Sequence, residues 1–165
     1  MSGVSRAEAA AFCARSGGRL PSEDEWMVAA ASAADPPCRY PWGDTGAVCR
    51  RAAWGLMDGP CAVEADGPDT VGSHPSGDSP LGLHDMSGNV SEWVAPDPVG
   101  NPASPEGAHG PDAPDAVPVG AEVAGVAKGG SWQTRLASEL RIWARLELPP
   151  GAHDARVGFR CAYPP

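Results

Sequence analysis

The chain has 165 residues, enough for one domain that buries roughly 70% of its unfolded surface. Its net charge of −9 at neutral pH makes nucleic acid and anionic membrane surfaces poor partners, and no stretch approaches the ~20 apolar residues of a membrane-spanning helix. With 21 Gly, 19 Pro and six Trp against two Phe and two Tyr, the composition predicts an irregular, loop-rich domain organised by indoles.

The first predicted helix covers residues 5–16. Ser5 and Glu8 form a capping box, in which each side chain satisfies an orphan backbone N–H, and Gly17-Gly18 ends the helix. A second helix starts at Ser22, with Glu23, Asp24 and Glu25 in its first turn, where the helix dipole favours negative charge. It is expected to run to about Ala33, before the Asp35-Pro36-Pro37 stop. From Cys38 to Pro80 the chain reads as turns, with Tyr40-Pro41-Trp42-Gly43-Asp44 as a compact aromatic turn. Residues 95–120, rich in Pro and Gly, read as a long surface loop.

Residues 140–148 alternate strictly, which predicts a strand. Leu140, Ile142, Ala144, Leu146 and Leu148 share one face; Arg141, Trp143, Arg145 and Glu147 share the other. Val157, Phe159, Cys161 and Tyr163 alternate likewise. Pro149-Pro150-Gly151 and a short loop would join the two strands into a hairpin.

The five cysteines show no CxxC and no zinc-type spacing with His, so no structural zinc is expected. Spacing alone leaves one or two disulfides and buried free thiols equally open. The sequence as given carries no visible secretory signal. The expectation is therefore the cytoplasm by default, or export if an upstream segment exists and disulfides form.

Five segments in fixed order resemble one family. They are Gly18-Arg19-Leu20-Pro21-Ser22-Glu23-Asp24-Glu25-Trp26, Tyr40-Pro41-Trp42-Gly43-Asp44, Gly82 to Trp93 (GLHDMSGNVSEW), Lys128-Gly129-Gly130-Ser131-Trp132 and Val157-Gly158-Phe159-Arg160-Cys161. Together they resemble the sulfatase-modifying factors, the family of the formylglycine-generating enzyme, over most of residues 4–163. The resemblance implies an α+β fold with little regular secondary structure, the formylglycine-enzyme variant of the C-type lectin fold, in one domain over 1–165. Relatives usually carry an upstream strand-bearing segment, so an exposed sheet edge is a further expectation.

The family enzyme oxidises a substrate cysteine to formylglycine with oxygen and a copper ion held by two cysteines. Soft Cu(I) wants thiolates. Here the matching positions are Thr134 and Glu139, while Ser131 matches the motif serine. Copper is therefore not expected, and neither is the oxidation. What the resemblance leaves is a substrate groove framed by Ser131, Trp132, Gln133, Thr134, Arg135, Arg141, Trp143 and Arg145, able to take a peptide, protein or small-molecule ligand. The competing reading is that Trp132 and Trp143 are core and that Arg145 and Arg160 pair with acids. A hypervariable binder of the same fold is disfavoured, because residues 133–156 contain neither Asn nor Tyr.

The resemblance also implies calcium at Asp85, Gly88, Val90 and Glu92, against the plainer reading of an Asp85 turn cap and a Glu92–Arg ion pair. A second family calcium site near Ala52-Ala53-Trp54 lacks its asparagine and is not expected. Cys13 and Cys161 match a pair bridged in the family. Cys49 with Cys61 is the second pairing considered, leaving Cys38 free.

Overall fold

The computed structural model describes residues 1–32, 38–95, 124–149 and 151–164. Helix α1 spans Arg6–Arg15 and helix α2 spans Glu23–Ala31. Both open with the expected reciprocal capping boxes, Ser5 with Glu8 and Ser22 with Glu25. Helix α2 ends at Ala31, two residues short of the expected Ala33, because Ser32 turns out of the helix at φ +57°; the loop expected over 95–120 lies, beyond Ala95, outside the described residues.

Among the described residues four short strands follow: β1 (Ser91–Trp93), β2 (Gly125–Lys128), β3 (Arg145–Leu148) and β4 (Val157–Phe159). They form one mixed sheet in the order β3-β2-β1-β4. The two inner pairings of β2, with β1 and with β3, are antiparallel, and β4 runs parallel to β1. Much of the remaining chain is turn and loop, an α+β domain with little regular secondary structure.

Two sequence expectations fail here. The strand predicted over 140–148 is a strand only from Arg145. Residues Ala137–Leu140 form a 3-10 turn instead, and the Ile142 N–H donates to the Arg39 carbonyl at 3.0 Å. Leu140 and Ile142 are both buried, in two different core clusters. A turn that alternates burial reproduces the period of a strand. The predicted hairpin is absent as well, because β3 and β4 occupy opposite edges of the sheet. Period-2 patterning reports which face is buried, not which strand is the neighbour.

The sheet lies between the helices. Ala9 and Cys13 of α1 pack with Trp93, Ala127 and Val157 on one face. Trp26, Ala30 and Ala31 of α2 pack with Met86, Val94 and Ile142 on the other side. A third cluster, Tyr40, Ala52, Ala53, Trp54, Leu56, Cys61, Trp132 and Leu140, stabilises the turn-rich region. Burial of large side chains contributes about 1.5–3 kcal/mol each, so four buried indoles carry much of this small core.

The β4 edge is not bare. Ser2 bridges to Gly158, and the Gly3 N–H donates to the Val157 carbonyl at 2.9 Å. Two disulfides close the chain, Cys13–Cys161 and Cys49–Cys61, and Cys38 is free. The first ties α1 to the segment after β4.

Candidate functional site

A cavity of about 460 Å³ opens beside the sheet where the chain leaves β2. Gly130 forms part of its wall, the second of two consecutive glycines in left-handed conformations, Gly129 at φ +93° and Gly130 at φ +70°. A Cβ on Gly130 would stand 2.8 Å from Leu140 Cδ2 and 3.0 Å from the Glu139 carbonyl oxygen. Only glycine admits that approach together with that φ. The chain then folds on itself: the Ser131 N–H donates to Thr134 Oγ1 at 2.9 Å, and the Gln133 N–H donates to Ser131 Oγ at 3.3 Å.

Of the eight expected groove residues, five line this cavity: Ser131, Gln133, Thr134, Arg135 and Arg145. Trp132 does not. Its ring is buried in the third core cluster, while its backbone N–H donates to the Asn89 carbonyl at 2.8 Å. Arg141 and Trp143 stand off the lining, with the guanidinium 5.8 Å from the indole centroid. Thr134 and Glu139, which occupy the places of the family's thiols, face the same cavity. Leu136 and Arg156 line it too and were not foreseen. Arg156 enters from a stretch with no motif of its own, and only the fold brings it here.

Each guanidinium on the wall meets a carboxylate. Arg135 binds Asp58 through two contacts, one of them Nε to Oδ1 at 2.9 Å. Arg145 reaches Glu23 at 3.0 Å. Arg156 holds Asp154 at 2.6 Å. The hydrogen bond to Asp154 raises the Arg156 pKa further above its ordinary value, against the cost of burial. Glu139 is exposed, and its carboxylate makes no ion pair or hydrogen bond with the described residues.

Glu92, Lys128 and Arg145 stand side by side across three strands. Lys128 is the chain's single lysine and is almost fully buried. Burial pushes its pKa down, and Glu23, 3.5 Å away, opposes that. This row docks the first turn of α2 onto the sheet.

None of the five cysteines lines the cavity. Four are in disulfides, and Cys38 holds the one free thiol.

The Asp85–Glu92 turn packs against the glycine pair, with the Gly88 N–H donating to the Gly129 carbonyl at 2.8 Å. Asp85 and Asn89 take left-handed φ values of +57° and +62°. Asp85 Oδ2 accepts from the Gly72 N–H at 2.8 Å. Glu92 accepts three N–H donors, one from the Trp26 indole at 2.8 Å and two from Arg160 at 2.6 Å each. The buried Asn89 Oδ1 has no hydrogen-bond partner among the described residues. Among those residues no three His, Cys, Asp or Glu side chains converge as a metal-holding group. Calcium takes six to eight oxygens. The turn fits it in part: it is oxygen-rich and holds one idle amide oxygen, but its main carboxylate already serves Arg160 and Trp26.

Residues 1–164 match the family model described as the sulfatase-modifying factor enzyme 1-like domain. The chain is 38% identical to the serine/threonine-protein kinase Pkn1 of Chlamydia trachomatis over 97% of its own length and 23% of that protein. It is 31% identical to the formylglycine-generating enzyme of Thermomonospora curvata, over 98% of this chain and 54% of the enzyme. It is also 31% identical to the inactive C-alpha-formylglycine-generating enzyme 2 of Mus musculus, over 96% of this chain and 47% of that protein. The chain thus spans between a quarter and about half of these relatives. Among solved structures, PvdO from Pseudomonas aeruginosa shares the fold at a TM-score of 0.64 and 23% identity, over 96% of this chain and 59% of that one. Treponema denticola variable protein 1 does so at a TM-score of 0.59 and 24% identity, over 89% of this chain and 48% of that one.

Proposed function

Because the chain belongs to the sulfatase-modifying factor enzyme family, we propose that it is a binding module that holds a peptide, protein or small ligand in the family's groove without oxidising it. The observation that carries this reading is the chemistry of the cavity wall. Thr134 and Glu139 both face the cavity, and neither offers a thiolate to Cu(I). Four of the five cysteines are committed to disulfides, and Cys38 is not on the lining. The cavity volume falls within the usual range for small-ligand sites, about 300–1,000 Å³. A family relative that bears the name of an inactive enzyme is consistent with a scaffold kept after its chemistry is gone.

The second reading is the formylglycine-type oxidase, favoured by the similarity to the Thermomonospora enzyme. One experiment separates the two. The chain is incubated with a Cys-x-Pro-x-Arg peptide, copper and oxygen, and the peptide is weighed by mass spectrometry. Unchanged mass supports the binding module; the mass loss of a thiol converted to an aldehyde supports the oxidase.

Calcium belongs to this proposal as a structural ion at Asp85, Gly88, Val90 and Glu92. The idle Asn89 oxygen and the oxygen-rich turn support it. Its role would be to stiffen the turn. That segment reaches the cavity through Ser91, which lines it.

A further inference from the structure

Solvent reaches the two disulfides unequally. Cys49 is exposed, while its partner Cys61 is buried in the third core cluster with Trp54, Leu56 and Trp132. Cys13 is fully buried against the sheet, and Cys161 is half-buried. The loop that Cys49 and Cys61 close also touches the cavity. Its Asp58 binds Arg135, which lines the cavity, and its Leu56 N–H donates to the Trp132 carbonyl at 2.8 Å. The Asp58 and Arg135 side chains are largely exposed, and an exposed ion pair holds little by itself.

We propose that Cys49–Cys61 is a site of thiol exchange, opened at Cys49 by a dithiol reductant, and that opening releases Arg135 from Asp58 while the Cys13–Cys161 bridge keeps the fold. The opening is independent of any ligand; its effect on binding rests on the reading of the cavity as a ligand site. A thiolate must reach the sulfur it attacks, and of the four bonded cysteines Cys49 alone is exposed. The attacking thiolate bonds to Cys49 Sγ, and the electron pair of the Cys49–Cys61 bond leaves on Cys61 Sγ, which takes up a proton. The reductant's second thiol then displaces Cys49 as a thiolate and closes the reductant's own disulfide. Two electrons have entered the chain, and the dithiol is oxidised.

The test uses the whole oxidised chain and dithiothreitol. Samples are quenched in acid, alkylated under denaturing conditions and mapped by mass spectrometry; Cys38 is labelled from the start. Cys49 and Cys61 are expected to become labelled roughly tenfold faster than Cys13 and Cys161, in the order that access to the attacked sulfur dictates. In the partly reduced chain the amide resonances of Ser131 to Leu136 and the Arg135 Nε–H should move, while those of α1 and the sheet stay. Cys49→Ala with Cys61→Ala should reproduce these shifts without reductant; where that variant does not fold, the partly reduced chain carries the same readout. Both bridges opening together, or Cys13–Cys161 opening first, overturns the exchange site. Opening at Cys49 with the cavity resonances unmoved overturns the release of Arg135. Neither readout uses a ligand, so either failure leaves the ligand reading standing, and a cavity that binds nothing leaves the exchange site standing.

Discussion

Arg160 grips Glu92 with two hydrogen bonds of 2.6 Å, one to each carboxylate oxygen. Three parts of the chain meet on that carboxylate: β1 through Glu92, the segment after β4 through Arg160, and α2 through the Trp26 indole. Arg160 also donates to the His84 carbonyl at 3.0 Å. Burial works against the Arg160 charge, but Glu92 and Asp85 together raise its pKa above the ordinary value. Glu92→Ala strands a buried guanidinium and an indole N–H. Removing one partner of a buried pair costs about 3–5 kcal/mol, and urea unfolding of the oxidised chain should show a loss of that size. Arg160→Met should lose less than Glu92→Ala, since the Trp26 bond survives. The double variant should fall short of the sum. Strict additivity would mean that the two side chains do not act as a pair.

The two disulfides close loops of very different length, 148 and 12 residues apart in sequence. Chain-entropy estimates give about 5 kcal/mol for the longer and about 3 kcal/mol for the shorter. Cys13→Ser with Cys161→Ser should therefore lower the melting temperature more than Cys49→Ser with Cys61→Ser. Calorimetry of the two double variants gives the order directly, and the reverse order would contradict it.

Helix caps and core faces were legible in the sequence because they depend on neighbours a few residues apart. Ser5, Ser22 and their glutamates stand where the capping pattern puts them. Leu146 and Leu148 pack on the α1 side, with Arg145 against Glu23 of α2. Strand partners were not legible. The parallel pairing of β1 with β4 joins Trp93 to Phe159 across 66 residues, and no local period encodes it. The cavity was half legible. Ser131 to Arg135 follow the glycine pair in sequence and so travel with it. Arg156 arrives through tertiary folding, and the commitment of each arginine to an acid is visible only in space.

Two pairs titrate in opposite senses. Arg19, and then the Ser22 backbone N–H, hold the Glu25 carboxyl down to about 2 from an ordinary 4.5. That contribution is present above 4.5 and is lost as pH falls towards 2. His84 is raised above 6.5 by its hydrogen bond to Asp78. Its contribution is present below 6.5 and is lost as pH climbs through the folded-state value. Both pairs are largely exposed, so each effect is small and screened by salt. Carboxyl and imidazole shifts followed by NMR should show Asp78→Asn bringing His84 back towards its ordinary value. An unmoved His84 titration would remove the pair from the account.

If the cavity is the family's groove without its thiols, restoring sulfur should restore the metal. Thr134 Oγ1 and the Glu139 carbonyl oxygen converge on Gly130, 3.2 and 3.0 Å from where its Cβ would stand. Thr134→Cys with Glu139→Cys is expected to bind one Cu(I) under anaerobic titration with a competing chelator. The unaltered chain should bind none at the cavity. Tight Cu(I) binding by the unaltered chain, with its two disulfides intact, would argue for the oxidase instead.

Calcium is the sharpest test of the Asp85–Glu92 turn, because the ion has to compete for an occupied carboxylate. Glu92 is bound to Arg160 and Trp26, so an ion must lean on Asp85, on backbone carbonyls and on the Asn89 oxygen. Such a donor set, with one carboxylate shared, belongs with weak sites of about 10⁻⁴–10⁻³ M. At ten times the dissociation constant, binding to the folded chain alone adds about 1.4 kcal/mol. The melting temperature should therefore rise by a few degrees in millimolar calcium and fall back with a chelator. Asp85→Asn should abolish the rise while leaving the calcium-free melt close to that of the unaltered chain, since Asn keeps an oxygen for the Gly72 N–H. A melt indifferent to calcium would assign the turn's stability to the Arg160 pair alone.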